Sequence, residues 1–262
     1  MRQNDQEVLI QELLSIARLA GDADMVVYSC GTSDVQPKEY DSPVTQADLA
    51  SHRAFASRLK PLLSKCPVVS EDAAGSLVHL RSHGRFWPIN PVDGTKEFIA
   101  RNGELTVNFA LIKDGRCVRG VVYTPAIDTL YWGVAGLGAS RNMDGQTAAI
   151  KVAASNTRRS SRMVASKSHL SEATQSLIDR SGEVSLVHSG SLRSFCRVAE
   201  GEADIYPRLT STREWDLAAV QAVLEGTGGV VADLWGMPFL CGKPNVLTPS
   251  FMATRDTVLV TP

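Results

Sequence analysis

The chain has 262 residues, of which 44% are hydrophobic, and its 27 lysine and arginine residues nearly balance 28 aspartate and glutamate residues. That length can bury one large core or two tightly packed halves, which exceeds a small binding module and leaves room for an enzyme. The near-neutral charge excludes a global field that would gather nucleic acid polymers or an anionic membrane, so any phosphate must be recognised locally.

The N-terminus and the cysteines indicate a cytoplasmic protein. Leu9, Leu13, Ile16 and Ala20 recur at helical spacing in a segment that charged residues interrupt, which predicts an amphipathic helix and neither a signal peptide nor a membrane span. The five cysteines are odd in number and widely spaced, and they contain no C-x-x-C pair. This pattern fits free thiols in a reducing compartment.

Residues 1–150 are expected to form an N-terminal α+β half. The polar stretch 31–43 predicts a loop, and the T-x-x-D pattern from Thr45 to Asp48 predicts a second helix that ends before Pro67. The Gly/Ser/Asn-rich segment 136–145 predicts a turn region. Apolar runs predict strands at 68–69, 86–89, 106–112, 118–123 and 130–134.

Residues 151–262 are expected to form a C-terminal α/β half, joined to the first through residues 151–162. The alternation of strands and helices in this half is typical of a layered α/β architecture. Strand candidates at 163–166, 184–187, 203–206 and 229–232 alternate with helix candidates at 170–179, 192–200 and 215–225.

The segment 87–98, WPINPVDGTKEF, predicts a site where a strand runs into a glycine-containing turn and then a helix. Strand ends are where α/β folds place their sites. Asp93 would project a carboxylate there, and the backbone N–H groups of Gly94 and Thr95 would suit a phosphate. Because a phosphate and a carboxylate repel each other, this arrangement predicts an intervening cation, and Mg²⁺ prefers such oxygens.

Two further acidic clusters stand at the ends of predicted elements, S-E-D at residues 70–72 and E-W-D at residues 214–216. Taken singly, acidic residues at a helix start are usually surface groups that complement the helix dipole. Three such clusters at successive element ends favour a shared metal site.

Four segments resemble, in order, the motifs of the inositol-monophosphatase superfamily: DSPVTQAD (41–48), VVSED (68–72), NPVDGTKEF (90–98) and EWDLAA (214–219). The K-E-F after D-G-T, and the later segments ASKSH, GSLRSFCRVAEGEADIYPR and TREWD, are more similar to the 3'(2'),5'-bisphosphate nucleotidase branch than to the inositol branch. The resemblance covers nearly the whole chain and implies a layered α-β-α-β-α sandwich of the sugar-phosphatase type.

The resemblance also implies a phosphoric monoester hydrolase that binds up to three Mg²⁺ ions. Such an enzyme would remove the 3'-phosphate of adenosine 3',5'-bisphosphate or a related nucleotide by metal-activated water, without a covalent intermediate. Asp48 and Thr95 match the pair that orients and deprotonates the water, although Thr45 and Asp48 could be purely a helix cap. The implied metal ligands are Glu71, Asn90, the backbone carbonyl of Val92, Asp93 and Asp216.

Substrate contacts follow from the same resemblance. Arg193 stands where lysine is common, and its planar guanidinium could still hold a second phosphate. An ordinary surface role remains open for His169 and for Arg208. The implied substrate-binding residues are Gly94, Thr95, Ser166, Lys167, His169, Gly190, Ser191, Arg193, Arg208 and Glu214.

Asn90 departs from the family motif, which has an aspartate that bridges two metal ions. An amide oxygen can coordinate a cation but brings no charge, so metal affinity should fall. Asp72 also replaces the usual glutamate, with a small expected effect, and Pro88 inside a strand is expected only at an edge or a bulge. The asparagine could be an introduced inactivating change, a natural change in a weakened or specialised phosphatase, or a mark of nucleotide binding without hydrolysis.

Two alternative functions therefore stay open. One is an inositol or sugar phosphate phosphatase on the same scaffold, and the other is a non-catalytic nucleotide-binding protein. The partner is in each case a small phosphorylated molecule, and the sequence is compatible with a monomer or a homodimer.

Overall fold

The computed structural model describes residues 3–30, 36–37, 43–44, 46–63, 66–70, 76, 84–154, 160–166 and 171–256. The α-helices in this part of the chain are α1 (Gln3–Cys30), α2 (Gln46–Leu62), α3 (Thr95–Ala100), α4 (Glu172–Arg180), α5 (Arg193–Ala199) and α6 (Glu214–Gly226), and a short 3-10 helix spans Pro125–Ile127. Thr45, the predicted start of the second helix, lies outside the described residues.

Two large sheets divide the strands by chain position. The seven-stranded sheet has the order β3-β4-β5-β6-β7-β8-β9, and apart from the parallel pair β3–β4 its neighbours are antiparallel. Its strands are β3 (Val68–Ser70), β4 (Arg85–Asp93), β5 (Thr106–Lys113), β6 (Arg116–Thr124), β7 (Thr129–Val134), β8 (Gly138–Met143) and β9 (Gln146–Ile150).

The five-stranded sheet is built from the C-terminal part of the chain, with the order β11-β10-β12-β16-β14. β10 is parallel to β11 and β12, whereas β16 runs antiparallel to β12 and β14. Its strands are β10 (Ser161–Ser166), β11 (Val184–Ser189), β12 (Ile205–Arg208), β14 (Val230–Asp233) and β16 (Phe251–Thr254). Two short pairs complete the strands: β1 (Gln36–Pro37) with β2 (Pro43–Val44), and β13 (Thr212–Arg213) with β15 (Leu247–Thr248).

Helices cover both faces of the seven-stranded sheet. α1 and α2 pack on one face, and α6 packs on the other. β5 shows the result, because Val107 and Phe109 belong to the core shared with α1 and α2 while Ala110 and Ile112 belong to the core shared with α6. That second core continues through α5 to the five-stranded sheet, so α5 and α6 form a layer between the two sheets.

Two glycines allow α6 to lie directly on the sheet. A Cβ added at Gly133 on β7 would come within 2.6 Å of the Cα of Val223, and one added at Gly120 on β6 would come within 2.9 Å of the Cα of Ala219. Glycine is therefore required at both positions by close backbone approach.

Several local predictions were wrong. The segment 136–145 was expected to be a turn region, but it contains β8, and only its ends turn, at Gly136 and Gly145 with φ near +76°. Its polar residues form a strand because β7 and β9 pair with it on both sides. The predicted loop 31–43 contains β1 and the first residue of β2, and the strands β9, β13, β15 and β16 were not anticipated.

Pro88 also differs from its expected setting. β4 lies between β3 and β5, so it is not an edge strand, and the irregularity in its pairing falls between Asn90 and Asp93. Pro88 is tolerated beside Val69 of the three-residue strand β3, where few ladder hydrogen bonds are made.

We expect Gly133→Ala to lower the free energy of unfolding by about 2 kcal/mol or more, because the methyl group must displace α6 from the sheet. Urea unfolding followed by circular dichroism measures the change. Gly84→Ala is the matched control, since among the described residues its added Cβ would meet only the side-chain oxygen of Asp114, at 3.1 Å. Equal stability of the two variants would contradict the close approach of α6.

Candidate active site

Four chain segments meet at one cleft between the two sheets. β4 ends at Asp93, Gly94 precedes α3, a turn at Ser191 precedes α5, β12 ends at Arg208, and α6 carries Asp216 in its first turn. All five of these residues line the cleft. The end of a central strand and the first turns of helices thus converge on one space, as α/β folds commonly arrange.

Asn90 lies between two carboxylates in this cleft. Its Nδ2 donates to Oδ1 of Asp216 at 2.9 Å, and more weakly to Oδ1 of Asp93 at 3.4 Å. Since carboxylates only accept, the amide nitrogen must face them. The amide oxygen, in a side chain only 2% exposed, is then left buried without a hydrogen-bond partner among the described residues.

Asp93 receives further hydrogen bonds from the turn before α5. The Ser191 hydroxyl and the Leu192 backbone N–H both donate to Oδ2 of Asp93, the latter at 2.9 Å. Enclosure by protein and the neighbouring Asp216 carboxylate nevertheless raise the pKa of Asp93 to about 6, and the donors from Ser191 and Leu192 offset only part of that rise. Two carboxylates that repel each other in this way favour a cation between them.

Asp216 has a structural role as well. Its Oδ2 accepts from the backbone N–H of Arg213 at 2.9 Å and from the Thr212 hydroxyl, which caps the first turn of α6. Its other oxygen faces Asn90. This one side chain can therefore complement the helix dipole, as acidic residues at a helix start usually do, and also act in the cleft.

The turn at Gly94 is shaped for a close approach of chain segments. Gly94 has φ +85°, and a Cβ there would come within 3.1 Å of the Ser191 Cβ and of Oε2 of Glu97. A Cβ at Gly190 would likewise come within 3.0 Å of Glu97 and 2.9 Å of Glu104. Both glycines let the β4–α3 turn and the turn before α5 lie against each other at the cleft.

Asp48 lies on α2, which packs against β4. It is fully buried in the first turn of α2, and Ser51, one turn later, donates to the carbonyl oxygen of Pro91 at 3.4 Å. This contact fixes the start of α2 against the end of β4. The Val92 side chain packs in a small core with Ala47, which brings the neighbouring residues of both elements together.

The predicted substrate residues fall into four groups by their placement. Gly94, Ser191 and Arg208 line the cleft, while Thr95, Gly190 and Arg193 adjoin it in sequence. Ser166 ends β10. Lys167 and His169 lie outside the described residues, as do the predicted metal ligand Glu71 and its neighbour Asp72.

Glu214 makes contacts that differ from the expected substrate contact. Its buried carboxylate accepts from the backbone N–H groups of Gly242 at 2.6 Å and Lys243 at 3.1 Å, and it pairs with the Lys243 ammonium at 2.7 Å. It holds the 242–243 segment against α6. A substrate contact by Glu214 stays a prediction that these contacts do not support.

The cleft also contains residues that the sequence reasoning did not select. Thr212, Glu97 and Tyr206 line it together with Phe195 and Phe251. All of these except Phe251 fall inside segments that resemble the family motifs, and that resemblance could have marked them as site residues. Phe251 had no such signal, because its strand was not predicted.

The acidic residues of the cleft do not form a complete metal site by themselves. Within the described ranges, no three His, Cys, Asp or Glu side chains cluster closely enough to hold an ion. The pair Asp93 and Asp216 and the unpartnered amide oxygen of Asn90 nevertheless fit a divalent cation, which takes carboxylate and amide oxygens as ligands.

Comparison with known proteins places this cleft in a family. The model of the inositol monophosphatase family matches residues 5–259. The 3'(2'),5'-bisphosphate nucleotidase CysQ of Salmonella typhimurium is 37% identical over 252 residues, which cover 94% of this chain and 99% of that protein. The protein of the same name from Escherichia coli K12 is 38% identical over 246 residues, which cover 93% and 98%.

Comparison with solved structures gives the same family. The crystal structure of CysQ from Bacteroides thetaiotaomicron, a bacterial member of the inositol monophosphatase family, is 32% identical with a TM-score of 0.80 and covers 94% of this chain and 97% of its own. An inositol monophosphatase from Zymomonas mobilis, 22% identical with a TM-score of 0.78, covers 99% and 96% and shows the shared fold.

The fold and the cleft are those of a phosphatase scaffold, and the chain belongs to the inositol monophosphatase family. The predicted layered α/β fold class is confirmed by these structures. The family is metal-dependent. None of the described helices combines the length and the apolar composition that a membrane crossing needs.

We expect Glu214→Ala to lower the free energy of unfolding by about 2 kcal/mol, because two backbone donors lose their buried acceptor. The KM for substrate should stay unchanged. Chemical unfolding and steady-state kinetics measure the two effects, and Glu225→Ala, an exposed position on the same helix, is the control. A raised KM with unchanged stability would instead support the predicted substrate contact.

Proposed function

We propose that the protein is a phosphoric monoester hydrolase that removes the 3'-phosphate of adenosine 3',5'-bisphosphate or a related nucleotide with the help of Mg²⁺. The observation that carries this proposal is the pair of carboxylates, Asp93 and Asp216, that share one cleft with the β4–α3 turn. The substrate class is supported by relatives at 37% and 38% identity that are bisphosphate nucleotidases over almost their whole length.

Asp93, Asp216 and the amide oxygen of Asn90 would hold the magnesium ions, together with the Val92 carbonyl and Glu71. When bound, Mg²⁺ would supply charge stabilisation for the phosphate oxygens and a lower pKa for the attacking water. Most of these ligands belong to the proposed half 1–150, and Asp216 comes from the proposed half 151–262. The proposed number of ions is up to three, as the family resemblance implies.

The protein's own groups would perform the remaining tasks. The Gly94 and Thr95 amides would bind the phosphate that is removed, since amides at a helix start favour anions. The Thr95 hydroxyl would orient the attacking water, and Asp48 would accept its proton as a general base. The burial of Asp48 would shield that proton from solvent.

Recognition of the rest of the nucleotide would fall to the C-terminal segments. Arg208 is the strongest candidate among the described residues, because it lines the cleft and its Nε is buried without a hydrogen-bond partner there. Its Nη1 donates to the Tyr206 hydroxyl at 3.4 Å. Ser166, Lys167, His169, Gly190, Ser191 and Arg193 are the further proposed contacts.

Asn90 would weaken the metal site without abolishing its shape. The amide nitrogen satisfies both carboxylates through hydrogen bonds, and a cation must displace these bonds before it binds. We therefore propose that the unmutated protein, here called the parent, needs more Mg²⁺ to turn over the substrate than family members with an aspartate at this position.

Asn90→Asp is expected to destabilise the metal-free protein by about 1–3 kcal/mol, because a donor is lost and a third carboxylate is added. With Mg²⁺ the same variant should gain more thermal stability than the parent, since binding to the folded state alone raises its stability. Its phosphate release from adenosine 3',5'-bisphosphate should rise at least roughly tenfold, as expected for tighter metal binding. Thermal unfolding with and without EDTA, and a phosphate-release assay, measure these effects.

Asn142→Asp serves as the control, because it makes the same substitution on β8, where Oδ1 already accepts from Arg18 at 3.2 Å. Faster turnover of inositol monophosphate than of the nucleotide would reassign the substrate. Tight nucleotide binding without phosphate release, before and after Asn90→Asp, would identify a non-catalytic binding protein and refute the enzymatic proposal.

A further inference from the structure

Asp24 is a buried acid that the proposed reaction does not use. It lies on α1 and is 0% exposed. Neither of its carboxyl oxygens has a hydrogen-bond partner among the described residues. A buried polar group in this state lowers the stability of a fold, so an apolar residue would be favoured there on stability alone.

The neighbours of Asp24 belong to the first turns of α2, which packs against α1. The charge of Asp48 reaches Asp24, and Ser51 is close enough to favour the ionised form in part. Burial first, and the Asp48 carboxylate second, hold the pKa of Asp24 well above its usual range. The Ser51 hydroxyl meanwhile donates to the Pro91 carbonyl oxygen at 3.4 Å.

Asp24 and Asp48 are both fully buried on helices that pack together, and two buried carboxyl groups whose charges act on each other carry a single negative charge more readily than two. Asp48 must be the ionised member if it is to accept a proton from water. Asp24 must then be the neutral member, and a neutral carboxylic acid, unlike a carboxylate, has an O–H group to donate.

We propose that Asp24, as a neutral carboxylic acid, is a positioning residue that holds Asp48 as the anionic base at the α1–α2 contact. This inference rests on the proposed role of Asp48. It gives a role to an acid at a site that does not suit a carboxylate, because the neutral acid can donate a hydrogen bond and leaves the charge on Asp48.

Infrared spectroscopy tests the proton directly and needs no turnover. In metal-free protein at neutral pH, the difference spectrum between the parent and Asp24→Asn should contain the C=O stretch of one carboxylic acid. In Asp48→Asn protein that band should shift, because its neighbour has lost its charge. A missing band, or a band that Asp48→Asn leaves unmoved, would overturn the proposal.

Kinetics test the positioning role. Asp24→Leu should lower kcat by roughly tenfold to a hundredfold, the cost of a misplaced catalytic group, with KM nearly unchanged. The same variant should unfold at a higher temperature than the parent, because a buried acid has been replaced by an apolar group. Asp24→Asn should recover much of the lost kcat, because its amide still donates. Asp22→Leu and Asp22→Asn, at an exposed position on the same helix, are the matched controls.

The outcomes separate this inference from the proposed function. These kinetics are measured in the parent and in the Asn90→Asp background. If neither background releases phosphate from any monoester, the proposed function fails, while the infrared band and its shift still decide the state of Asp24. If turnover is present and Asp24→Leu is as active as the parent, Asp24 has no positioning role.

Discussion

The repulsion between Asp93 and Asp216 is the constraint on which the rest of the site depends. One carboxylate ends the central strand β4, and the other stands in the first turn of α6, so the same contact joins the seven-stranded sheet to the layer between the sheets. In a protein interior such a pair is stable only if a proton, a donor or a cation lies between its members. Here the Asn90 amide is the donor.

The fold supplies the rigidity that this contact needs. α6 is held on the sheet by the close approach at Gly120 and Gly133, and its first turn is closed by Asp216 itself. Glu214 then ties the 242–243 segment to the same turn. Because each acidic residue of the E-W-D segment makes structural contacts, the position of Asp216 is fixed before any ligand binds, which is the preorganisation that a metal site requires.

Sequence patterns were sufficient for elements with strong periodicity and for motifs with strong resemblance. β5 was predicted from the apolar run at 106–112, and α6 from the helix candidate at 215–225. Asp93 and Asp216 were associated through the family motifs. β8 was missed because its polar residues form a strand only through pairing with β7 and β9. No spacing rule could show that the Asn90 amide would reach Asp216, 126 residues away. Asp24 gave no signal, since a single acid in an amphipathic helix is usually exposed.

Asn90 and Asp24 represent two solutions to the same physical problem, the burial of acids whose charges repel each other. At Asn90 a neutral donor replaces a charge, so the metal-free cleft keeps its shape, but the donor competes with any cation for the same carboxylate oxygens. At the α1–α2 contact, burial and the Asp48 charge both favour a proton on Asp24, and that proton relieves the repulsion between the two acids. In the proposed mechanism, the first solution would affect how tightly the cleft holds metal, and the second would affect whether Asp48 is charged. Metal affinity and the charge of the base would therefore depend on different neighbours, Asn90 and Asp24, so a change in one need not alter the other.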